Sequence, residues 1–235
     1  MQLKLVKEYF DQFATYLESE QKEDWLYLWE SQRIFQENWD LESTDLVAMY
    51  DASLNNSKTR RLWNREAYEP KKMMLKFLED QSEFIRSMFK ELFKESISLS
   101  GRAGRFVFYC DELLNAYLEQ NPKARESSHY HNDGYQMISL YLAFHYPDQY
   151  ALYNGKAFQI TMKKIGSPDI PSTDDLERYA KVTKTLYKLM EKEPKILELH
   201  QQRLDPEQHY TSESLLLVYE FYRFCETAKL QSATS

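Results

Sequence analysis

The stretch that decides the fold is residues 84–93, which read FIRSMFKELF. Its apolar residues come in adjacent pairs, and two polar residues separate each pair from the next. The pairs are Phe84 and Ile85, Met88 and Phe89, and Leu92 and Phe93. Because this period of four brings all of them to one face of an α-helix, the stretch predicts an amphipathic helix.

The same period recurs on both sides of this stretch. It marks residues 6–17, 25–39, 45–49, 73–78, 106–117, 138–142, 156–165, 172–192, 196–204 and 215–225. Ser43 is the predicted N-cap of the third of these helices. Ser172, with Asp175 three residues later, resembles a capping box that opens the helix ending near Lys192. Gly101 and Gly104 are expected to break the chain before the 106–117 helix.

The composition supports a helical fold. The chain has only five Gly and seven Pro among 235 residues, whereas all-β folds use many of both in turns. Only Tyr150–Tyr153 suggests a strand. The sequence therefore predicts an all-α, irregular multi-helix bundle of about ten helices with at most one very short strand pair. Residues 1–165 are expected to form the main helical core, 166–171 a short linker or loop, and 172–235 further helices packed on the same core, in a single domain.

The chain shows no membrane or export signal. No apolar run reaches the roughly 20 residues that a membrane span requires, and the N-terminus lacks an apolar segment followed by a cleavage site. The two cysteines, Cys110 and Cys225, lie in apolar helical stripes. They are interpreted as buried, unreactive thiols of a protein in a reducing compartment. We therefore expect a cytoplasmic location and no membrane partner.

Sequence signatures of catalysis are absent. The chain contains no GxxxxGK[ST], GxGxxG, GxSxG or HExxH string, so we predict no catalytic residue, no cofactor and no enzymatic activity. His129 and His131, together with Asp133, form the one cluster shaped like a set of metal ligands. The alternative, which we favour, is a polar surface loop over residues 121–134 and no metal, with the histidines facing water or their rings capping the helix at Gly134. Asp111 and Glu112 are interpreted as a solvated helix edge.

One basic segment could contact nucleic acid. Although the formal net charge is −7, a local patch can still bind phosphates. Arg60, Arg61 and Arg65 could bind phosphate oxygens, and Trp63 between them could stack on a base. The alternative is a basic loop that Trp63 anchors to the core.

A second basic feature lies on one predicted helix. Its members, spaced by three or four residues, are Arg178, Lys181, Lys184, Lys188 and Lys192. This spacing places them on one helix face that could follow a phosphate backbone, although lysine faces also serve simply to keep a helix soluble. Arg102 and Arg105, beside the two glycines, form a third and weaker phosphate candidate.

Four strings together resemble a known family. They are residues 29–40 (WESQRIFQENWD), 85–93 (IRSMFKELF), 129–153 (HYHNDGYQMISLYLAFHYPDQYALY) and 210–222 (YTSESLLLVYEFY). In this order they resemble the N-terminal region of McrB-like AAA+ restriction proteins, and the resemblance covers most of residues 29–224. It implies a prokaryotic defence module that recognises DNA, commonly with a modified base, for a motor domain and a nuclease subunit. It identifies no individual binding residue.

We therefore predict a non-catalytic DNA-sensing module. The nucleic-acid-binding candidates are Arg60, Arg61, Trp63, Arg65, Lys181, Lys184 and Lys188. The alternative is a helical module for protein–protein interaction or oligomerisation, which binds through exposed aromatic side chains and does not bind nucleic acid. A metal-dependent hydrolase built on His129, His131 and Asp133 is the third possibility.

Overall fold

The computed structural model describes residues 1–19, 25–55, 69–132, 134–171 and 174–228. These ranges contain ten α-helices and no strand, which confirms the predicted all-α fold. The helices are α1 (Leu3–Glu18), α2 (Tyr27–Asn38), α3 (Leu46–Ser53), α4 (Pro70–Leu92), α5 (Leu99–Gln120), α6 (Gln136–His145), α7 (Gly155–Lys164), α8 (Leu176–Met190), α9 (Pro194–Arg203) and α10 (Leu216–Thr227). Within these ranges, no helix combines the length and the apolar character that crossing a bilayer requires.

Helix α6 is apolar on all sides and lies in the core. Every residue from Met137 to Phe144 is buried, as expected of a helix that has no solvent-facing stripe. It packs against α2, where the Gln32 side chain donates a hydrogen bond to the Ala143 carbonyl (2.9 Å).

Helices α4 and α5 form an antiparallel hairpin whose buried face carries the apolar residues of the 84–93 stretch except Phe84, which is 40% exposed, so the predicted single buried face is wrong at that position. Phe89 is central in this face, with ring centroids 4.9 Å from Trp39, 5.2 Å from Phe106 and 5.0 Å from Tyr141. Aromatic contacts at these separations add to the stability that burial alone provides. The stretch that predicts the fold thus also joins α2, α4, α5 and α6.

Helix α10 organises the other half of the core and packs against α1, α7 and α8. The Phe221 ring meets Phe10 and Phe13 of α1 at 5.1 and 5.4 Å. The neighbouring Tyr222 meets Phe158 of α7 and Tyr179 of α8 at 5.6 and 5.4 Å. The contact between α5 and α8 connects this half to the α4–α5 hairpin.

A buried ion pair joins α9 to α10. The side chains of Arg203 and Glu220 are 1% and 0% exposed, and the guanidinium Nη1 donates to Glu220 Oε1 at 2.8 Å while Nη2 donates to Oε2. The guanidinium also lies 5.1 Å from the centre of the Trp29 ring and donates from Nε to His200 Nδ1 at 3.2 Å. The pair therefore fixes α9 and α10 against α2.

Several predicted boundaries are wrong, and capping explains most of the differences. Helix α3 is capped by Asp45 rather than Ser43, because Asp45 accepts the Ala48 N–H (2.9 Å). Helix α8 is likewise capped by Asp175, which accepts the Arg178 N–H (2.9 Å), and it ends at Met190; Ser172 lies outside the described residues. The two helices predicted on either side of residue 81 are both present and meet within α4 at a kink, where Gln81 has non-helical φ/ψ.

Gly101 and Gly104 do not break the chain. Ser98 caps α5 by accepting the Gly101 N–H (3.3 Å), so the helix begins before both glycines and runs through them. Arg102, Ala103 and Phe106 bury the opposite side of the same turns, and this tertiary burial outweighs the weak helix propensity of glycine.

Tyr150–Tyr153 is a buried segment without a strand partner. Side chains bind part of its backbone, since the Tyr153 N–H donates to Ser139 Oγ (2.8 Å) and the Tyr179 hydroxyl donates to the Leu152 carbonyl. The Tyr150 N–H donates to the Tyr146 backbone carbonyl (3.1 Å). The predicted strand is therefore wrong. Its apolar residues are buried because helices cover the segment.

The predicted linker, 166–171, contacts the helices that flank it. The Gln159 side chain donates to the Pro171 carbonyl (2.9 Å). At the other end Gly166 has a φ of +65°, and the Gln2 side chain approaches to 2.8 Å of the position that a Cβ would occupy. The division into residues 1–165 and 172–235 stays a prediction.

Removing one member of the buried ion pair is expected to lower the free energy of unfolding more than removing both members does. Arg203→Met should lower the free energy of unfolding by roughly 3–5 kcal/mol, because it leaves the Glu220 carboxylate buried without its cation. Arg203→Met combined with Glu220→Leu should recover much of that stability. Urea denaturation of both variants measures the difference, and an equal decrease in the two would contradict this account of the pair.

Candidate functional site

Helix α8 presents lysines outward while its other face is buried. Leu176, Tyr179, Thr183, Leu186 and Met190 make up the buried face. Lys181 and Lys188 are exposed and Lys184 is half-buried. The predicted stripe is therefore present at these three positions.

The other two members of the stripe contribute less. Arg178 forms an ion pair with Asp169 (2.6 Å), so its charge is already compensated. Lys192 lies beyond the end of the helix.

The first turn of α5 already binds a carboxylate. Glu177 of α8 accepts hydrogen bonds from the Ser100 backbone N–H (3.1 Å) and the Ser100 hydroxyl (2.7 Å). These bonds lower the pKa of the Glu177 carboxyl below its usual value. Free backbone N–H groups and the helix dipole make this end of a helix suited to anions in general.

Arg102 lies two residues further along the same turn of α5, with its side chain 2% exposed. Its Nη1 donates to the Leu92 carbonyl (2.9 Å) and its Nη2 to the Tyr150 hydroxyl, which in turn donates to Glu95 (2.7 Å). Burial, followed by the Glu95 contact, raises the pKa of Tyr150 to about 12. The Nε of Arg102 is buried and has no hydrogen-bond partner among the described residues.

These groups meet at one open cleft between α5 and α8, with a volume of about 440 Å³. Its cationic members are Arg102, Lys181 and Lys184, and its acidic members are Glu95 and Glu177. Lys184 lies 5.3 Å from the centre of the Tyr150 ring and donates to Gln149 (2.6 Å). Lys181 and Lys184 lie beside a helix N-terminus and give the cleft the chemistry of an anion site that an internal carboxylate occupies, with the buried Arg102, whose charge Glu95 compensates, behind them.

The structure thus brings together two features that are separate in the sequence. Lys181 and Lys184 of the α8 stripe share the cleft with Arg102, the weaker phosphate candidate, and Lys188 follows one turn along α8. Arg105 does not belong to the cleft, because it pairs with Glu91 of α4 (2.8 Å).

The basic segment of residues 60–65, the other predicted nucleic-acid contact, cannot be placed relative to the cleft. Arg60, Arg61, Trp63 and Arg65 lie outside the described residues. Tyr150 and Glu177 had no signal in the sequence, because only the packing of α5 on α8 makes them neighbours.

The histidines of the 121–134 segment are buried rather than facing water. His129 and His131 are 1% and 0% exposed, so the prediction of a surface loop is wrong at these positions. Asp111 is not merely a solvated edge either, because its Oδ1 lies 2.9 Å from His129 Nε2. Asp133 lies outside the described residues.

Hydrogen-bond partners determine where the protons lie on both rings. His129 Nδ1 accepts the His131 backbone N–H (3.0 Å), so Nε2 carries the proton and donates it to Asp111. His131 Nδ1 donates to the His129 carbonyl (2.8 Å), and Nε2 accepts from the Tyr141 hydroxyl (3.0 Å). Tyr141 in turn accepts from the Tyr50 hydroxyl at 2.6 Å. The result is a chain of hydrogen bonds that runs from the exposed Asp111 of α5 through the two buried imidazoles to Tyr50 of α3.

A metal would fit this cluster poorly. Donor atoms of Cys110, His129 and His131 lie within 4.8 Å of one another. Binding through His129 Nε2 would require a proton on Nδ1, which instead faces the His131 backbone N–H. Burial also raises the pKa of the Cys110 thiol, which disfavours the thiolate that metals need. The geometry favours the hydrogen-bond chain.

Neither thiol has the surroundings of a nucleophile. Cys110 and Cys225 are both free and buried. Burial raises the pKa of Cys225 to about 12, far above that of a reactive thiol.

A comparison of the chain with protein-family models, curated proteins and solved structures found no match.

Acid is expected to destabilise the protein through three histidines, of which His131 and His200 are buried and His145 is half-buried. Burial lowers the pKa of His131 to about 3 and that of His145 to about 4, and lowers that of His200 as well. Below the unfolded value of about 6.5, the unfolded chain binds protons that the folded chain does not. The free energy of unfolding is therefore greatest above that pH and falls as the pH drops toward 4, by up to about 1.4 kcal/mol per pH unit for each histidine.

Urea unfolding at a series of pH values tests this prediction, and the window between pH 6.5 and 5 lies above the titration of ordinary carboxylates. His145→Gln removes one of the three histidines. It should therefore reduce the change in the free energy of unfolding with pH by up to about 1.4 kcal/mol per pH unit, which corresponds to one proton. A stability that does not change across this window would contradict the assignment of neutral buried histidines.

Proposed function

We propose that the protein is a non-catalytic DNA-recognition module and that the cleft between α5 and α8 holds part of the phosphate backbone. The observation that carries the proposal is the convergence of Arg102, Lys181 and Lys184 beside the first turn of α5. The resemblance to McrB-like N-terminal regions supports DNA as the anion's source.

The groups in the cleft can divide the work of binding a phosphate. Lys181 and Lys184 would supply charge, and Ser100 would supply the N–H and hydroxyl donors that Glu177 now occupies. Lys188 lies seven residues from Lys181, or roughly 10 Å along the helix. The lysine row is therefore long enough to contact more than one phosphate.

Binding would exchange one anion for another at α5. A phosphate oxygen would take the place of the Glu177 carboxylate on Ser100, and Glu177 would turn into solvent, to which it is already exposed. Because protein contacts to phosphates position a duplex without reading its sequence, the choice of target would depend on other residues.

The basic segment with Arg60, Arg61, Trp63 and Arg65 supplies the second part of the proposal. Its arginines would anchor neighbouring phosphates, and Trp63 would stack on a base. In the proposed defence role, in the prokaryotic cytoplasm, DNA binding would be the signal passed to an AAA+ motor and its nuclease subunit.

The rival proposal is a protein-interaction or oligomerisation module that does not bind nucleic acid. It is favoured by Phe84 and Phe108, which are 40% and 56% exposed. Salt separates the two proposals, because phosphate contacts weaken steeply with ionic strength whereas aromatic interfaces do not.

Charge reversal in the cleft tests the main proposal. Lys181→Glu with Lys184→Glu should weaken the binding of a labelled duplex by about tenfold or more. The slope of log affinity against log salt should also fall, by about 1 for each phosphate that the variant no longer binds. Fluorescence anisotropy measures both quantities.

Lys156→Glu with Lys163→Glu is the matched control, because these exposed lysines of α7 change the net charge equally. An equal decrease in affinity in both double variants would show that overall charge, and not the cleft, determines binding.

Arg60→Glu with Arg61→Glu tests the second segment, and an unchanged affinity and salt slope would remove that segment from the proposal.

A further inference from the structure

The outer face of the α4–α5 hairpin carries an aromatic patch made of Phe84, Phe108 and Tyr109. Phe108 and Phe84 are 56% and 40% exposed, and their ring centroids lie 5.9 and 5.5 Å from that of Tyr109. Within the described ranges, the other large hydrophobic side chains with comparable exposure are Met1 and Leu3 at the N-terminus. The patch is therefore an apolar surface on the otherwise polar outer faces of the two helices.

Gly104 makes a notch beside this patch. It lies one turn before Phe108 on the same helix face, and apart from its own turn of helix no atom of the described residues comes within 4 Å of the position that a Cβ would occupy. Glycine inside a helix lowers its stability relative to alanine, and no contact within the described residues requires it here. A glycine at such a position allows another chain to approach the helix closely.

Charges are arranged antisymmetrically about Phe108. Arg105 lies three residues before it, and Asp111 and Glu112 lie three and four residues after it. All three are exposed. A two-fold axis through Phe108 would therefore place Arg105 of one copy against Asp111 and Glu112 of another, and Glu112 over the Gly104 notch.

We propose that this face binds a second copy of the chain, with the two α5 helices antiparallel and the Phe108 rings in contact at the two-fold axis. Such an interface is isologous, because the same patch serves both copies. Arg105 already pairs with Glu91 through Nη1 (2.8 Å), but a guanidinium has five donors and can bind a further carboxylate. The proposal does not depend on DNA binding.

Sedimentation velocity of the full chain from about 5 to 500 µM provides the test, since a helix pair of this size gives a small interface of modest affinity. The wild type should shift from monomer to dimer within this range. Phe108→Glu should weaken the dimer at least tenfold, while Leu3→Glu, a matched exposed position, should leave it unchanged. A wild type that stays monomeric throughout, or a Phe108→Glu variant that dimerises as well as the wild type, would overturn the proposal.

Charge exchange tests the direct pairing. Arg105→Glu and Glu112→Arg should each weaken the dimer, and the two together should restore it, because the opposite charges meet again across the axis. Failure of the double variant to recover would overturn the antiparallel register.

Gly104→Gln should raise the melting temperature of the monomer and weaken the dimer. A variant that dimerises as well as the wild type would show that the notch is not part of the interface. Lys181→Glu with Lys184→Glu should dimerise like the wild type, which keeps this test separate from that of DNA binding.

Discussion

A guanidinium buried at the start of α5 needs its charge and its donors compensated inside the protein, and the arrangement around Arg102 follows from this constraint. Its two Nη atoms bind the Leu92 carbonyl at the end of α4 and the Tyr150 hydroxyl before α7. Glu95, 3.8 Å from Nη2, supplies the nearby negative charge. Leaving a buried charge unpaired is costly, so these contacts hold the turn between α4 and α5 and the 150–153 segment in one arrangement.

The same arrangement creates the cleft. Tyr150, held by Arg102 and Glu95, gives Lys184 a ring to lie against, and both side chains line the cleft beside the first turn of α5. Glu177 then satisfies the N–H of Ser100. A protein with a net charge of −7 repels nucleic acid overall, so the DNA binding proposed above would need a local group of cations such as this one. Helix α5 would combine two roles: its first turn faces the cleft, and its outer face carries Phe108.

The spacing of apolar residues and the composition were sufficient to predict the helices. Each helix buries a face whose apolar residues recur every three or four positions, as Phe89 and its buried neighbours do in the 84–93 stretch. Helix caps and chain breaks were predicted less reliably. Ser43 was a plausible cap, but Asp45 makes the bond, and Gly101 lies inside a helix because Arg102 and Phe106 are buried beside it. The burial of His129 and His131 could not be read from a polar string, since it depends on Asp111 and Tyr141 reaching their ring nitrogens. For the same reason the lysines of α8 were visible in the sequence, whereas their meeting with Arg102 was not.

The most direct test of the central claim is the affinity of the wild-type protein for a short labelled duplex, measured by fluorescence anisotropy at about 50 and 200 mM salt. Our account predicts binding at the lower salt that weakens steeply at the higher, because lysines and arginines displace counterions from phosphates. Absence of binding at the lower salt, or an affinity that does not change between the two, would contradict phosphate recognition and favour a module that binds proteins.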